Sequence, residues 1–498
     1  MISLVRVKQI PGNHRITSRW PSHLTWGALL LLPALACANP PAAGPMEFSS
    51  DWISWLALGI FALGILLVSL EEWLDLRKSK PMLLAAGLIW LLIGWSSGQH
   101  GGGVPLAEAA VRENLLQYAE LMLLILVVMT YINAMTERRV FSTLRAWLGS
   151  QGYSYRKLFW ISGLATFLLS PFLDNLSTAL LLGAVVIKVG QDNPRFTGLG
   201  CLNVVIAANA GGVFSPFGDI TTLMVWQQNI QSTTGQVGFF SFFQLMLPAA
   251  INYLIPALGM HFSLPKGRLD NSRESIRMRR GAKRIILLFL LSIATAVGFQ
   301  SLLHLPATVG MLTGLSYLQF FGFFLKKTHG LTGNQYADED TLTLSLMVEG
   351  RKPFDIFVRV ARAEWDTLLF LGGVILAVGG LGYLGFLAHV SELMYYQWGP
   401  TTANILVGLS SAVLENIPTM SAVLAMNPQM SLDQWLLVTL TTGVGGSLLA
   451  IGSAAGVTLM GQAKGSYTFF SHLKWTPLIA LAYILSILVH LGASETIF

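Results

Sequence analysis

Windows of about 20 apolar residues recur along the whole chain, and a run of that length crosses the hydrocarbon of a bilayer as a helix. This feature sets the class before any single residue is weighed. Of the 498 residues, 53% are hydrophobic and only 11% are charged, against about 25% charged in an average soluble domain. The chain reads as an all-α polytopic membrane protein. Its net charge of +6 does not point to nucleic acid, because the basic residues gather in short loops, as the positive-inside rule expects. Two cysteines, Cys37 and Cys201, make neither a disulfide framework nor a metal site.

The first residues read as a leader. Arg6, Lys8, Arg15 and Arg19 precede a short apolar run, Leu24 to Leu35, and then Ala36-Cys37-Ala38. A charged start, an apolar run of about 12 and a small-x-small site describe a cleavable signal peptide, here 1–38. An uncleaved amphipathic helix is the other reading. Export places the mature N-terminus outside, in the periplasm of a bacterial inner membrane. Loop charges agree: Arg77, Lys78 and Lys80 follow the first span, and eight Lys or Arg lie between 266 and 284. Both loops are expected inside.

Two segments break the pattern. SPFLDNLST, residues 170–178, sits between two apolar arms of about 11 or 12 residues, each too short to cross. SAVLENIPT, residues 411–419, does the same 241 positions later (415 minus 174). Each reads as a re-entrant hairpin, about 158–189 and about 400–427. Each is followed by a long apolar segment interrupted by glycine, about 199–230 and about 432–462. The first break carries Gly211-Gly212 and Pro216-Phe217-Gly218-Asp219; the second carries Gly445-Gly446 and Gly452-Ser453. The breaks are aligned through Gly211-Gly212 with Gly445-Gly446, and Thr222-Leu223-Met224 with Thr458-Leu459-Met460. The preceding helices set Glu120 opposite Asp366. Residues 51–264 and 285–498 thus read as two repeats, joined by the basic loop 265–284. A further arm, about 350–364, is expected at the membrane interface. Loop charges put the first hairpin inside and the second outside, so the repeats are inverted. An inverted repeat with paired short or broken segments marks a midplane transport site.

The chemistry follows from the residue types. An ionised group at bilayer depth costs about 2.5 kcal/mol or more. Asp174, Asp219 and Glu415 share the proposed centre, and no intramembrane Lys or Arg is an evident partner. A proton or a bound cation must compensate them. Such carboxyls can hold a proton when empty and surrender it to a cation. Asn175, Thr178, Ser215, Asn416 and Thr419 add neutral oxygens, a hard donor set suited to Na⁺ or Li⁺. Ser177, Glu120, Asp366 and Ser453 are secondary candidates. Bland readings stand beside these: Asp174 and Asp219 can each cap a helix, and Glu120 and Asp366 can serve structure alone. No cofactor is expected.

At SPFLDNLSTALLLGAVV, NAGGVFSPFGDITTLMVWQ and ENIPT the chain resembles NhaD-type sodium/proton antiporters of the ion transporter superfamily, over about residues 51–498. The resemblance implies a homodimer with a fixed scaffold and a transport domain that moves as an elevator. Related divalent-anion/sodium symporters carry Ser-Asn-Thr at both hairpin tips. Acids stand here instead, which favours Na⁺/H⁺ exchange. Na⁺-coupled uptake of a carboxylate or oxyanion is the alternative. An intramembrane enzyme is disfavoured: there is no HExxH pair, and Pro216-Phe217-Gly218-Asp219 lacks the first glycine of a GxGD motif.

Overall fold

Apolar runs become long helices wherever nothing interrupts their hydrogen bonding, because lipid offers the backbone no other partner. The computed structural model describes residues 52–74, 76–99, 104–191, 193–267, 276–329 and 355–497. Among the described residues there is no strand. The leader expected at 1–38 lies outside them, as do 268–275 and 330–354.

In chain order the α-helices of five residues or more are α1 (Trp52–Ser69), α2 (Ser79–Gln99), α3 (Val104–Glu137), α4 (Val140–Ser150), α5 (Tyr155–Leu173) and α6 (Asn175–Val189). Then come α7 (Pro194–Gly212), α8 (Ile220–Gln227), α9 (Met246–Ser263), α10 (Ala282–Leu303) and α11 (Ala307–His329). The rest are α12 (Ile356–Ala361), α13 (Trp365–Tyr383), α14 (Phe386–Ser391), α15 (Pro400–Leu414), α16 (Asn416–Met426), α17 (Leu432–Gly445), α18 (Ala454–Gln462), α19 (Phe469–Leu473) and α20 (Thr476–Ile497). Among the described residues, eight helices are long and apolar enough to cross a membrane. Together with the helical content, this makes the chain a polytopic membrane protein.

The first hairpin arm is longer than its apolar run predicts. α5 has 19 residues, not 11 or 12. Ser154 caps it by accepting from the Lys157 backbone N–H, so the helix starts in the polar Tyr155-Arg156-Lys157 before the apolar stretch. At its other end it continues through Pro171 to Leu173. Capping and backbone geometry set its limits, whereas hydropathy marks only the lipid-compatible part. The returning arms are short: α6 has 15 residues and α16 has 11, about 22 and 16 Å at 1.5 Å per residue.

The core lies along the helices that precede the two breaks. From Leu199 to Gly212 every residue of α7 is buried, and so are nearly all of α17. A helix apolar all round is one surrounded by protein or lipid; these two are surrounded by protein. By contrast α1 and α10 expose Leu63, Leu66, Leu287 and Leu302, an outer surface that suits acyl chains.

The two halves are held by matching contacts. α5 packs along α7 as α15 packs along α17. Ser170 donates to the Ala208 carbonyl at 2.6 Å, and Ser411 donates to the Thr442 carbonyl at 2.8 Å. A Cβ at Gly211 would strike the Phe167 carbonyl, and one at Gly445 would strike that of Gly408. Within the breaks, a Cβ at Gly212 would sit 2.7 Å from the Gly218 carbonyl; at Gly446 it would sit 2.8 Å from that of Gly452. The hairpins correspond at 241 positions (411 minus 170) and the breaks at 234 (446 minus 212). This alignment sets Asp219 opposite Ser453. It moves the Thr222-Leu223-Met224 match by two residues, because close backbone approach defines the break and the flanking side chains do not.

Candidate functional site

Each hairpin turns on a single acidic residue. Asp174 separates α5 from α6 at φ 62°, ψ 158°, and Glu415 separates α15 from α16 at φ 67°, ψ 157°. This region of backbone space belongs almost wholly to glycine, and a side chain there costs about 1–3 kcal/mol. Finding it twice, at matching positions and both times on an acid, ties the carboxylates to a demand other than stability. The breaks show the same pairing. Asp219 caps α8 at φ −148°, ψ 152°, and Ser453 caps α18 at φ −139°, ψ 144°.

Helix ends converge at these four residues. Each contributes an N-terminus with free N–H groups and the positive end of a helix dipole, beside the C-terminus of the preceding segment with its free carbonyls. Such a junction can favour an anionic side chain and coordinate a cation at once. A cavity of about 500 Å³ opens here, lined by Asp174, Asn175, Asp219, Glu415, Asn416 and Asp366. The three principal carboxylates share this cavity. Among the described residues, however, no three acidic, imidazole or thiol side chains close into a single metal cage.

The carboxylates differ in how they are held. Asp174 accepts from the Ser177 backbone at 2.7 Å and from the Ser177 hydroxyl at 2.8 Å. Asp219 is buried; it accepts from the Thr221 backbone at 3.4 Å and from the Asn416 amide at 2.7 Å. The cap readings for both are therefore correct as far as they go, but the second Asp219 oxygen is spent across the site on the opposite hairpin. Asn175 donates to Asn209 at 3.3 Å, and Asn209 donates to Ser447 at 2.9 Å, linking the first hairpin to both breaks.

Glu415 has a cationic partner, which corrects the expectation that none exists. Lys78 donates to its Oε1 at 2.9 Å. The ammonium also lies 3.7 Å from Glu71. Burial is the largest single influence and opposes its charge, but the charge and hydrogen bond of Glu415, with the Glu71 and Asp366 carboxylates, together raise the Lys78 pKa, so the ammonium stays protonated. Glu415 Oε2 is buried with no hydrogen-bond partner. No sequence signal separates Lys78 from its neighbours Arg77 and Lys80, which share the basic-loop pattern.

The remaining candidates fall outside the cavity lining. Thr178 is buried with an unpartnered hydroxyl. Thr419 donates to the Glu415 carbonyl at 2.7 Å, and Ser215 accepts from the Phe217 backbone at 3.3 Å. Ser177 serves Asp174. Ser453 accepts from the Gly456 backbone at 3.2 Å. Glu120 accepts from Gln227 at 3.1 Å, and its carbonyl accepts from Thr308. It does not share the cavity with Asp366, which accepts from Ser79.

Paired acidic tips and paired helix breaks around one cavity, with eight candidate spans among the described residues, suit a secondary transporter. Comparison with known proteins agrees. A family model described as "Citrate transporter" matches residues 16–443. The chain is 53% identical to the Na⁺/H⁺ antiporter NhaD of Vibrio cholerae, over 93% of this chain and 97% of that one. It is 54% identical to NhaD of Alkalimonas amylolytica, over 92% and 94%. It is 57% identical to NhaD of Vibrio parahaemolyticus, over 82% and 98%. The chain belongs to this transporter family and, within it, to the NhaD-type sodium/proton antiporters.

Proposed function

We propose that this protein exchanges Na⁺ for H⁺ across a membrane by alternating access, with Asp174, Asp219 and Glu415 holding cation and proton in turn. The observation that carries the reading is the placement of three carboxylates on one cavity at junctions of half-helices. Desolvation there disfavours a bare carboxylate. A proton or a hard cation relieves it, and only one of them is needed at a time. Asn175, Thr178, Ser215, Asn416 and Thr419 are neutral oxygen donors close in sequence to these junctions, and Li⁺ is a second substrate of the same chemistry.

The repeats are inverted in this reading, and the hairpins enter and leave on one side each. The short returning arms α6 and α16 support this, since neither spans a hydrocarbon core of about 30 Å. The transport elements, about 158–230 and 400–462, move as a body against a dimeric scaffold in the bacterial inner membrane. The matching contacts that bind α5 to α7 and α15 to α17 favour joint motion. Lys78 stands on the loop before α2, outside that body, so its pair with Glu415 must break in each cycle.

Na⁺-coupled uptake of a carboxylate would suit a family described by citrate transport, yet the acids on the cavity repel such a substrate. Purified protein in liposomes with an internal pH dye decides the matter. Exchange predicts lumenal alkalinisation on external Na⁺ or Li⁺ but not K⁺, without any organic anion. A pH change that appears only with added dicarboxylate would replace exchange by symport.

A further inference from the structure

A second cavity, of about 930 Å³, lies where α3 and α11 end and α10 begins, closed on one side by α12. Its lining is strongly basic: Arg139, Arg279, Lys326, Arg359 and Arg362 face two carboxylates, Glu137 and Asp355. Both carboxylates are already engaged. Glu137 pairs with Arg359 at 2.9 Å and with Arg138 at 3.8 Å. Asp355 caps α12 by accepting from the Phe357 backbone at 3.0 Å. Among the described residues no further carboxylate lines the cavity to balance Arg139, Arg279, Lys326 and Arg362.

The guanidiniums press on one another. Arg359 is buried, and burial lowers its pKa first, with Arg362 and Arg279 adding to the effect against Glu137. Arg138 is lowered in the same way, by burial and then by Arg279 and Arg359. A cluster of like charges at partly buried positions is relieved by an anion, and arginine forks fit phosphate oxygens two at a time.

The walls add an apolar half to the recognition. Phe357 and Phe323 line the cavity and are 72% and 65% exposed. The ends of α3, α10 and α11 put the cavity at the edge of the hydrocarbon, where phospholipid phosphates lie. An aromatic lip over a basic pocket at that depth matches acyl chain and headgroup together.

We propose that this cavity binds the phosphate headgroup of an anionic phospholipid, with Arg279, Lys326 and Arg362 taking the phosphate and Phe323 and Phe357 the upper acyl chain. The site is separate from the ion cavity, though α12 leads directly into α13, whose first turn bears Asp366. A lipid bound here holds the segment that carries a residue of the ion cavity.

The test titrates full-length protein in detergent with dioctanoylphosphatidylglycerol, dioctanoylphosphatidylcholine and inorganic phosphate, read by thermal shift and native mass spectrometry. Wild type should prefer the glycerol lipid over the choline lipid roughly tenfold, as about 1.4 kcal/mol of charge attraction gives. Arg279→Gln with Arg362→Gln should erase that preference. Lys283→Gln with Arg284→Gln, exposed charges near the same helix end but off the cavity, should keep it. Equal loss in both pairs would reduce the effect to general surface charge and overturn the site. Inorganic phosphate matching the glycerol lipid would overturn the lipid assignment. If the double variant fails to fold, the exposed Lys326→Gln carries the test. It should weaken the glycerol lipid severalfold and leave the choline lipid unchanged, and an unaltered ratio would also overturn the proposal.

Discussion

The two hairpin tips share a backbone and differ in everything attached to it. Asp174 and Glu415 hold nearly the same φ and ψ. Asp174 is short, and Ser177 takes both of its oxygens, so its carboxylate stays folded over its own tip. Glu415 is one methylene longer and makes no cap bond. Its carboxylate leaves the tip and reaches Lys78. The breaks diverge in the same spirit, with Asp219 on one side and Ser453 on the other. The corresponding positions therefore differ in charge: Asp174 and Asp219 stand in the first half opposite Glu415 and the neutral Ser453 in the second, and Glu415 alone of the three acids pairs with a lysine, Lys78 of the first half. In the proposed exchange, the shared backbone supplies the geometry and the departures between the two tips supply the chemistry.

Making the two breaks alike should have the largest effect. Asp219→Ser keeps an N-cap, since serine caps about as well as aspartate, but it leaves the buried Asn416 amide without its acceptor and should cost about 1–3 kcal/mol of stability. Exchange should fall about a hundredfold, the cost of losing one charge-assisted ligand. A dye assay in liposomes beside a melting curve separates the two outcomes. Retained exchange would show that Asp219 is only a cap.

Lys78→Met removes the counter-charge that sets the second tip apart. Glu415 then faces a half-buried cavity alone, and the protein should lose about 2–3 kcal/mol, less than a fully buried pair would. Glu415→Gln in the Lys78→Met background should restore part of this, and a double-mutant cycle in thermal stability measures the coupling. Additive effects would sever the pair.

The breaks should respond alike where their geometry is alike. Gly212→Ala and Gly446→Ala each drive a methyl toward a carbonyl at 2.7 and 2.8 Å. Each should cost about 1–3 kcal/mol, seen as a lower melting temperature. A loss at one glycine only would break the correspondence of the two halves.

The smallest effect has the opposite sign. Asp174→Gly relieves a backbone that glycine adopts freely, and a glycine cap loses only a few tenths of a kcal/mol. The variant should be inactive yet about 1 kcal/mol more stable than wild type. A destabilised variant would show that no strain is held at the tip.

Much of this was legible in the sequence. Charge-poor apolar windows gave the class, and the recurrence of an acid followed by asparagine marked both tips, because a polar run inside an apolar one has few other uses. The end of α5 was misread because hydropathy reports lipid contact and not hydrogen bonding. The alignment of Gly211-Gly212 with Gly445-Gly446 already carried the change from 241 to 234 positions, and the structure locates it in the helices: α16 and α17 are shorter than α6 and α7, while the connection between them is not. Lys78 was hidden most deeply. Its partner is 337 positions away, and in sequence it is one of three basic residues beside a span. Local pattern cannot tell a lysine that anchors topology from one that turns inward to an acid.

Competition between Na⁺ and H⁺ for the same carboxylates is the central claim, and the Na⁺ dependence of exchange at several pH values tests it most directly. Proteoliposomes with equal internal and external pH would be challenged with graded Na⁺. The account predicts a KM for Na⁺ that rises as pH falls, approaching about tenfold per pH unit in the acidic limit, with an unchanged maximal rate. A KM independent of pH, with only the maximal rate responding, would mean that proton and cation occupy separate sites.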